Sequence, residues 1–296
     1  MSKRVLITGS EGFTGKYVSA ELTQAGWEVW GAGLQPKPDD RQYLQIDLLQ
    51  IDTLKPIADK IKPDVVIHLA AIAFVAESDP NIFYQVNLIG TRNLLEVLAN
   101  TDAPPECTIL ASSANVYGNS ALPLLSEEAP VNPSNDYAVS KLAMEYLAKT
   151  FMSQLGVIIT RPFNYTGVGQ SEQFLLPKLI SHFRTKRRHI ELGNLDVARD
   201  FSDVRDVARD YLLLAEKRPI NATFNLCSGV ATTLNECISI CTEVSGHNLE
   251  IRVNPSFVRQ NEVKMLRGDK RKLDAAHCAS SQYCLRDTIS WMLQAS

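Results

Sequence analysis

No run of apolar residues in this chain approaches the ~18 that a membrane-crossing helix needs, and its first segment reads as a strand rather than a leader peptide. A membrane span and a secretory signal are therefore not expected, and a cytoplasmic location is. Charge of one sign is lacking too: 30 basic residues stand against 33 acidic ones, a net −3. That balance gives no electrostatic footprint for nucleic acid or an anionic membrane. The six cysteines (107, 227, 237, 241, 278 and 284) include no C-x-x-C pair. Cys237 and Cys241 fall at helical spacing, but no histidine lies close in sequence to complete a metal set. The expectation is no metal and reduced thiols. Internal repeats and low-complexity tracts are missing as well, so nothing points to a repeat array. The 296 residues suffice for one large domain or two small ones.

What is present is an alternation of strand and helix patterns. Strands are expected at 3–8, 27–32, 42–46, 64–69, 107–112, 156–161 and 221–226. Helices are expected at 14–25, 51–61, 81–101 and 136–154, then, in a less regular second half, around 174–187, 204–217 and 233–245. The order predicts an α/β fold: a Rossmann-type doubly wound parallel sheet with a smaller C-terminal substrate lobe. Residues 1–165, with about 200–228 returning, form the dinucleotide-binding domain in this reading, and 166–199 with 229–296 form the lobe.

The first strand runs into Gly9-Ser-Glu-Gly12-Phe13-Thr14-Gly15, followed by a helix-like segment that Gly26 stops. Strand, glycine-rich turn and helix is the context that makes a glycine pattern a dinucleotide site. Gly9 permits the tight turn, Gly12 the close approach of a pyrophosphate, and Gly15 close helix–strand packing. The helix start, at Phe13 and Thr14, offers free N–H groups and a positive dipole end to phosphate. The spacing is G-x-x-G-x-x-G, and a structural turn without ligand is the alternative. After the second strand, where NAD sites place an acid for the ribose 2′-hydroxyl, the chain reads Leu34-Gln35-Pro36-Lys37-Pro38, with Arg41 nearby. Missing acid and available base favour NADP(H) and leave NAD(H) open, since Asp39 and Asp40 also lie close.

Tyr137 and Lys141 stand four apart in Tyr-Ala-Val-Ser-Lys and share a helix face. Of the nine tyrosines only this one has Lys at i+4. An ammonium there stabilises phenolate and lowers the phenol's pKa, making tyrosine usable for proton transfer. Strand 107–112 ends in Ala111-Ser112-Ser113, at the carboxyl edge where open parallel sheets collect ligands. A serine there can hold a substrate oxygen against the phenol. His68-Leu69-Ala70-Ala71 ends another strand with small residues, as close passage of backbone to a ring requires. His68 itself reads as a satisfied interior histidine. Asn87 reads equally as a polar residue satisfying helix backbone or as a catalytic relay.

The ordered set T-G-x-x-G-F-T-G, H-L-A-A, S-S-x-x-V-Y-G, Y-A-V-S-K and R-P-F-N resembles the extended short-chain dehydrogenase/reductase family over nearly the whole chain. The resemblance implies Ser113, Tyr137 and Lys141 as the catalytic triad, Ser113 being preferred because it lies four before Tyr117. It further implies Asp47 and Leu48 at the adenine, Lys141 on the nicotinamide ribose, Pro162 near the nicotinamide, and a homodimer through the Tyr137 helix and the 81–101 helix.

Strings in the second half, Arg161–Gln170, Gly193–Asp206, Arg259–Val263 and Gly268–Asp269, resemble members that act on GDP-sugars. A nucleotide-sugar needs cations for its diphosphate and a carboxylate or amide for hydroxyls, roles that suit Arg199, Arg259, Glu262 and Asn164. Guanine, thymine and cytosine remain open. Dehydratases of the family carry a glutamate two residues after the triad serine or threonine to remove a proton from C5; here Asn115 stands there, and an amide is no base. Epimerising reductases need a cysteine and a histidine at the sugar. Cys107 lies too far back on its strand, and His182 has no cysteine partner. The expected reaction is plain reduction of a C4 ketone. A C4 epimerase retaining NAD and a non-catalytic dinucleotide sensor are the alternatives.

Overall fold

The computed structural model describes residues 3–75, 78–257 and 264–295. Short segments rich in Val, Ile and Leu form the first strands: β1 (Arg4–Thr8), β2 (Glu28–Gly33), β3 (Tyr43–Gln45), β4 (Val65–His68), β5 (Cys107–Ala111) and β6 (Val157–Pro162). The second half adds β7 (Asn164–Thr166), β8 (His189–Leu192), β9 (Ala198–Asp203), β10 (Ala222–Leu226), β11 (Ala231–Thr233), β12 (Glu250–Val253) and β13 (Met265–Leu266). The α-helices are α1 (Phe13–Gln24), α2 (Thr91–Ala99), α3 (Asp136–Lys149), α4 (Leu175–Arg184), α5 (Val204–Lys217), α6 (Leu234–Ser245), α7 (Arg271–Ala275) and α8 (Leu285–Gln294).

A seven-stranded sheet runs in the order β10-β6-β5-β4-β1-β2-β3, every pair parallel. The chain starts in the middle at β1, builds outward to β3, then returns through β4 on the other side. That reversal between β1 and β4 opens the crevice in which doubly wound sheets bind ligands. Because helices cover both faces, the central strands have no wet side, and Val5, Leu6, Ile7, Val65, Val66 and Ile67 are all fully buried. Odd positions such as Val5 and Ile7 meet Val18 and Leu22 of α1 and Val207 and Tyr211 of α5. Even ones such as Leu6 and Val66 meet Leu94 and Leu95 of α2 and Met144 of α3.

Smaller elements form beside the sheet. β9 pairs β7 and β13 in parallel and β11 antiparallel, while β8 and β12 make a separate parallel pair. α4, α6 and α8 close over a core of Leu179, Phe183, Cys237, Cys241, Ile289 and Met292. The two parts interleave. β10 completes the large sheet, α5 packs on α1 with an Arg209–Glu21 ion pair at 2.9 Å, and Leu273 and Cys278 enter the sheet's core. All six cysteines are free, and the described residues hold no His/Cys/Asp/Glu group arranged for a metal.

Three expected helices differ in the structure. Residues 51–61 form a tight turn (Ile51–Thr53) and a wider one (Ile57–Ile61), separated by Pro56, whose missing N–H cannot continue a ladder. Residues 81–101 begin as a widely wound helix, Phe83–Gly90, before tightening into α2. α3 stops at Lys149 rather than 154, since the Thr150 amide and hydroxyl both bond the Leu147 carbonyl.

Candidate active site

The glycine loop lies at the β1–β4 crevice. Gly9 takes φ +72°, and a Cβ there would sit 2.8 Å from the Ala70 nitrogen. Leu69 and Ala70 therefore flank the loop, their amides donating to the Thr8 carbonyl and the Thr8 hydroxyl at 3.1 and 3.3 Å; Ala71 follows them. At Gly15 a Cβ would fall 2.2 Å from the Gly9 carbonyl oxygen, so the first turn of α1 rests directly on the loop. Gly12 caps α1 without a side chain, leaving the amides of Phe13, Thr14 and Gly15 with no carbonyl one turn back. The Ser10 hydroxyl is buried against Gly31 and has no protein partner among the described residues. Backbone cradle, uncapped helix start and orphaned hydroxyl together suit a dinucleotide phosphate. Asp47 and Leu48 follow β3: the Asp47 carboxylate receives the Leu49 amide, and Leu48 is buried against Gly90. Lys37 reaches across the loop to pair with Glu11 at 2.6 Å and lies over the Tyr43 ring.

α3 holds the Tyr137–Lys141 pair. The Asn135 side chain caps it through the Ala138 amide at 2.9 Å, which fixes the first turn where Tyr137 stands. Tyr137, Lys141 and Ser113 are all buried. The Ser113 hydroxyl accepts the Asn115 amide at 3.2 Å and lies near enough to the Tyr137 phenol to pull its pKa down. Lys141 donates to the Ala111 carbonyl at 2.7 Å. The phenol departs from the sequence expectation: burial pushes it up to about 12, against the smaller opposing pull of Ser113. Desolvation outweighs any help from Lys141, whose ammonium is committed to Ala111 and is itself brought down to about 8 by burial, with Glu145 opposing.

Asn87 lies in the widely wound helix. Its amide accepts from the Ile72 nitrogen at 2.9 Å and donates to the Ile72 carbonyl at 3.1 Å and to the Ser140 hydroxyl at 3.2 Å. It thus ties the segment after β4 to α3. His68 bridges Thr8 and Thr91 at 2.6 and 3.0 Å. Burial, then the charge of Lys141, lowers this imidazole to about 3, so it is neutral at pH 7. The unfolded imidazole gains a proton below about pH 6.5 while the folded one does not until near 3. Its contribution is complete above pH 6.5 and is lost, by about 1.4 kcal/mol per pH unit, as pH falls through that window. Urea unfolding at pH 7, 6 and 5 is expected to show this slope in the parent and a flatter one in His68→Gln. Parallel curves would clear His68 of the effect.

Pro162 ends β6 opposite Leu226. Asn164 opens β7 opposite Phe201 of β9, and its side-chain nitrogen is buried without a protein partner among the described residues. Arg199 lies two residues from Phe201, on the same face of β9, and donates to the carbonyls of Ala198 and Lys264. The short sheet thus brings Asn164 and Arg199 to one side. Arg259 and Glu262 fall outside the described residues. His182 bonds the Lys178 carbonyl, one turn back on α4.

One part of the site escaped the sequence reading. Ser112 donates to Glu145 at 2.5 Å, and Glu145 receives Arg161 Nε and Nη2 at 2.9 and 2.7 Å. Arg161 continues to the Tyr117 hydroxyl and the Glu127 carbonyl, and Tyr117 donates to Asn225. The available signal was spacing, for Glu145 stands at i+4 from Lys141.

A family model described as "NAD dependent epimerase/dehydratase family" matches residues 5–227. The chain belongs to this family. Its fold is that of the extended short-chain dehydrogenases/reductases. A GDP-6-deoxy-D-talose 4-dehydrogenase of Aggregatibacter actinomycetemcomitans is 36% identical, over 91% of this chain and 90% of its own. A GDP-6-deoxy-D-mannose reductase of Pseudomonas aeruginosa is 35% identical, over 92% and 90%. The structure of RMD from Pseudomonas aeruginosa complexed with NADPH superposes with a TM-score of 0.87 at 33% identity, covering 99% of this chain and 98% of that one. Among extended short-chain dehydrogenases/reductases, then, the similar members include two that handle GDP-linked 6-deoxyhexoses.

Proposed function

We propose that the protein reduces the C4 ketone of GDP-4-keto-6-deoxy-D-mannose with NADPH to give GDP-D-rhamnose. The observation that carries this reading is a Ser113–Tyr137–Lys141 constellation with an amide, Asn115, where C5 deprotonation needs a carboxylate. The cofactor is held by the loop Gly9–Gly15, with Asp47 and Leu48 on one side, Leu69–Ala71 and Asn87 on the other, and Pro162 at the far end. When bound, it supplies the hydride. At neutral pH Tyr137 holds its proton, which is the state required to protonate an alkoxide forming at C4. Ser113 steadies the same oxygen, and Lys141 supplies positive charge beneath the phenol and hydrogen bonds for the ribose. Asn164, whose buried nitrogen has no protein partner among the described residues, and Arg199 serve the diphosphate and sugar.

The talose-linked relative supports a second reading, in which the same reduction gives the C4 epimer. Incubation of GDP-4-keto-6-deoxymannose with enzyme and NADPH is expected to deplete nicotinamide absorbance stoichiometrically, and the proton coupling between H3 and H4 of the product assigns the epimer. No cofactor oxidation with any GDP-, dTDP- or CDP-4-keto sugar would overturn the assignment. Ile89, Val139 and Tyr146 are exposed on the Phe83–Gly90 segment and α3, and these are the residues by which two copies would pair as a homodimer.

A further inference from the structure

We infer that Glu145, locked by Arg161, is a positioning residue for the reaction: it keeps Lys141 charged and pins the end of β5 to the catalytic helix. Tyr137, Lys141 and Glu145 follow one another at four-residue intervals along one face of α3. Opposite them stand three consecutive residues of the β5 end. The Ala111 carbonyl takes Lys141, the Ser112 hydroxyl goes to Glu145, and Ser113 follows beside the Tyr137 phenol. The contact of Lys141 and the place of Ser113 are thus both adjacent to the contact of Glu145.

A buried ion pair is a weak source of stability, since apolar side chains of similar volume fill a core as well or better. What they cannot supply is a counter-charge. The groups around Lys141 are His68 from β4, neutral at pH 7; Tyr137, protonated, with Tyr165 of β7 beyond it; Glu145; and Arg161 of β6 on the carboxylate. Among the described residues Glu145 is the one charge that, beside the Ala111 carbonyl, opposes the burial driving Lys141 towards neutrality. Without it, Lys141 loses its proton closer to working pH and ceases to support the phenol or bind ribose as a cation.

The inference rests on the triad assigned above, but its test needs no substrate. Ligand-free protein labelled with ¹³Cε-lysine is titrated by NMR, with Lys141 assigned through Lys141→Arg. The parent is expected to titrate near the value of about 8 given by its surroundings. Glu145→Gln keeps an acceptor for Ser112 but removes the charge, and is expected to bring the midpoint down by about one pH unit, a tenfold larger acid dissociation constant. The alkaline limb of kcat/KM should move with it. Glu145→Gln/Arg161→Gln leaves no stranded charge and should move the midpoint the same way. An unchanged midpoint in either folded variant overturns the inference. So does failure of both variants to fold, which would make the pair a requirement of the core. A failed ketone assay leaves this titration readable, so the two readings fail separately.

Discussion

Tyr137→Phe is expected to lower kcat for ketone reduction by about 10²- to 10⁴-fold, the range for loss of a positioned general acid, with NADPH affinity close to the parent's. Phenylalanine keeps the ring in contact with Phe83, whose centroid lies 5.8 Å away, and removes only the hydroxyl. Direction of reaction makes the result more specific. Because burial holds the phenol near 12, the protonated form dominates at neutral pH and reduction starts from the correct state. Alcohol oxidation starts from phenolate, so below the Lys141 midpoint of about 8 its rate should climb with pH while reduction stays flat. Stopped-flow measurement of nicotinamide absorbance in both directions, from pH 6 to 9, reads this. A phenylalanine variant within about tenfold of the parent would remove Tyr137 from the acid's role.

Arg161→Met should be the most destabilising of the substitutions considered, at about 3–5 kcal/mol, because it leaves the Glu145 carboxylate buried with Ser112 as its remaining partner. The side chains of Arg161 and Glu145 are only 8% and 2% exposed, so water cannot replace the lost guanidinium. Removing both charges in Arg161→Met/Glu145→Met should restore most of that stability without restoring the Lys141 titration. Urea midpoints for the parent, the single and the double variant give the comparison. A single variant as stable as the parent would mean that the carboxylate takes up a proton or finds another cation at little cost.

The large sheet was legible because of its topology. A parallel strand covered on both faces carries an uninterrupted apolar run, as in Val5–Ile7 and Val65–Ile67, and such runs stand out in a sequence. β7, β11 and β13 were not legible, being two or three residues long and stabilised by partners far along the chain. β9 was missed for another reason. Its sequence, Ala-Arg-Asp-Phe-Ser-Asp, carries a buried Asp200 that the distant Ser228, Gly229 and Gly268 amides and the Ser228 hydroxyl make tolerable. In the site, the Tyr137–Lys141 spacing and the Gly9–Gly15 loop depend on local geometry and could be read directly. Protonation could not, since the phenol's rise follows from burial by residues of several elements. Glu145 looked like any helix-surface glutamate until Arg161, sixteen positions later, was seen to lie against it.

The place of β10 in the sheet has a consequence for how the chain is made. The outer partner of β6 is β10, separated from it by 59 residues of lobe and helix. While the chain is being translated, β6 is an edge strand whose apolar run Val157–Ile159 has open N–H and C=O groups along one side. That edge is sealed only once Leu226 has left the ribosome, and the core beneath it only after Leu273 and Cys278 follow. Until β10 is made, the half bearing Tyr137 is complete in sequence while its outer edge stays open for pairing.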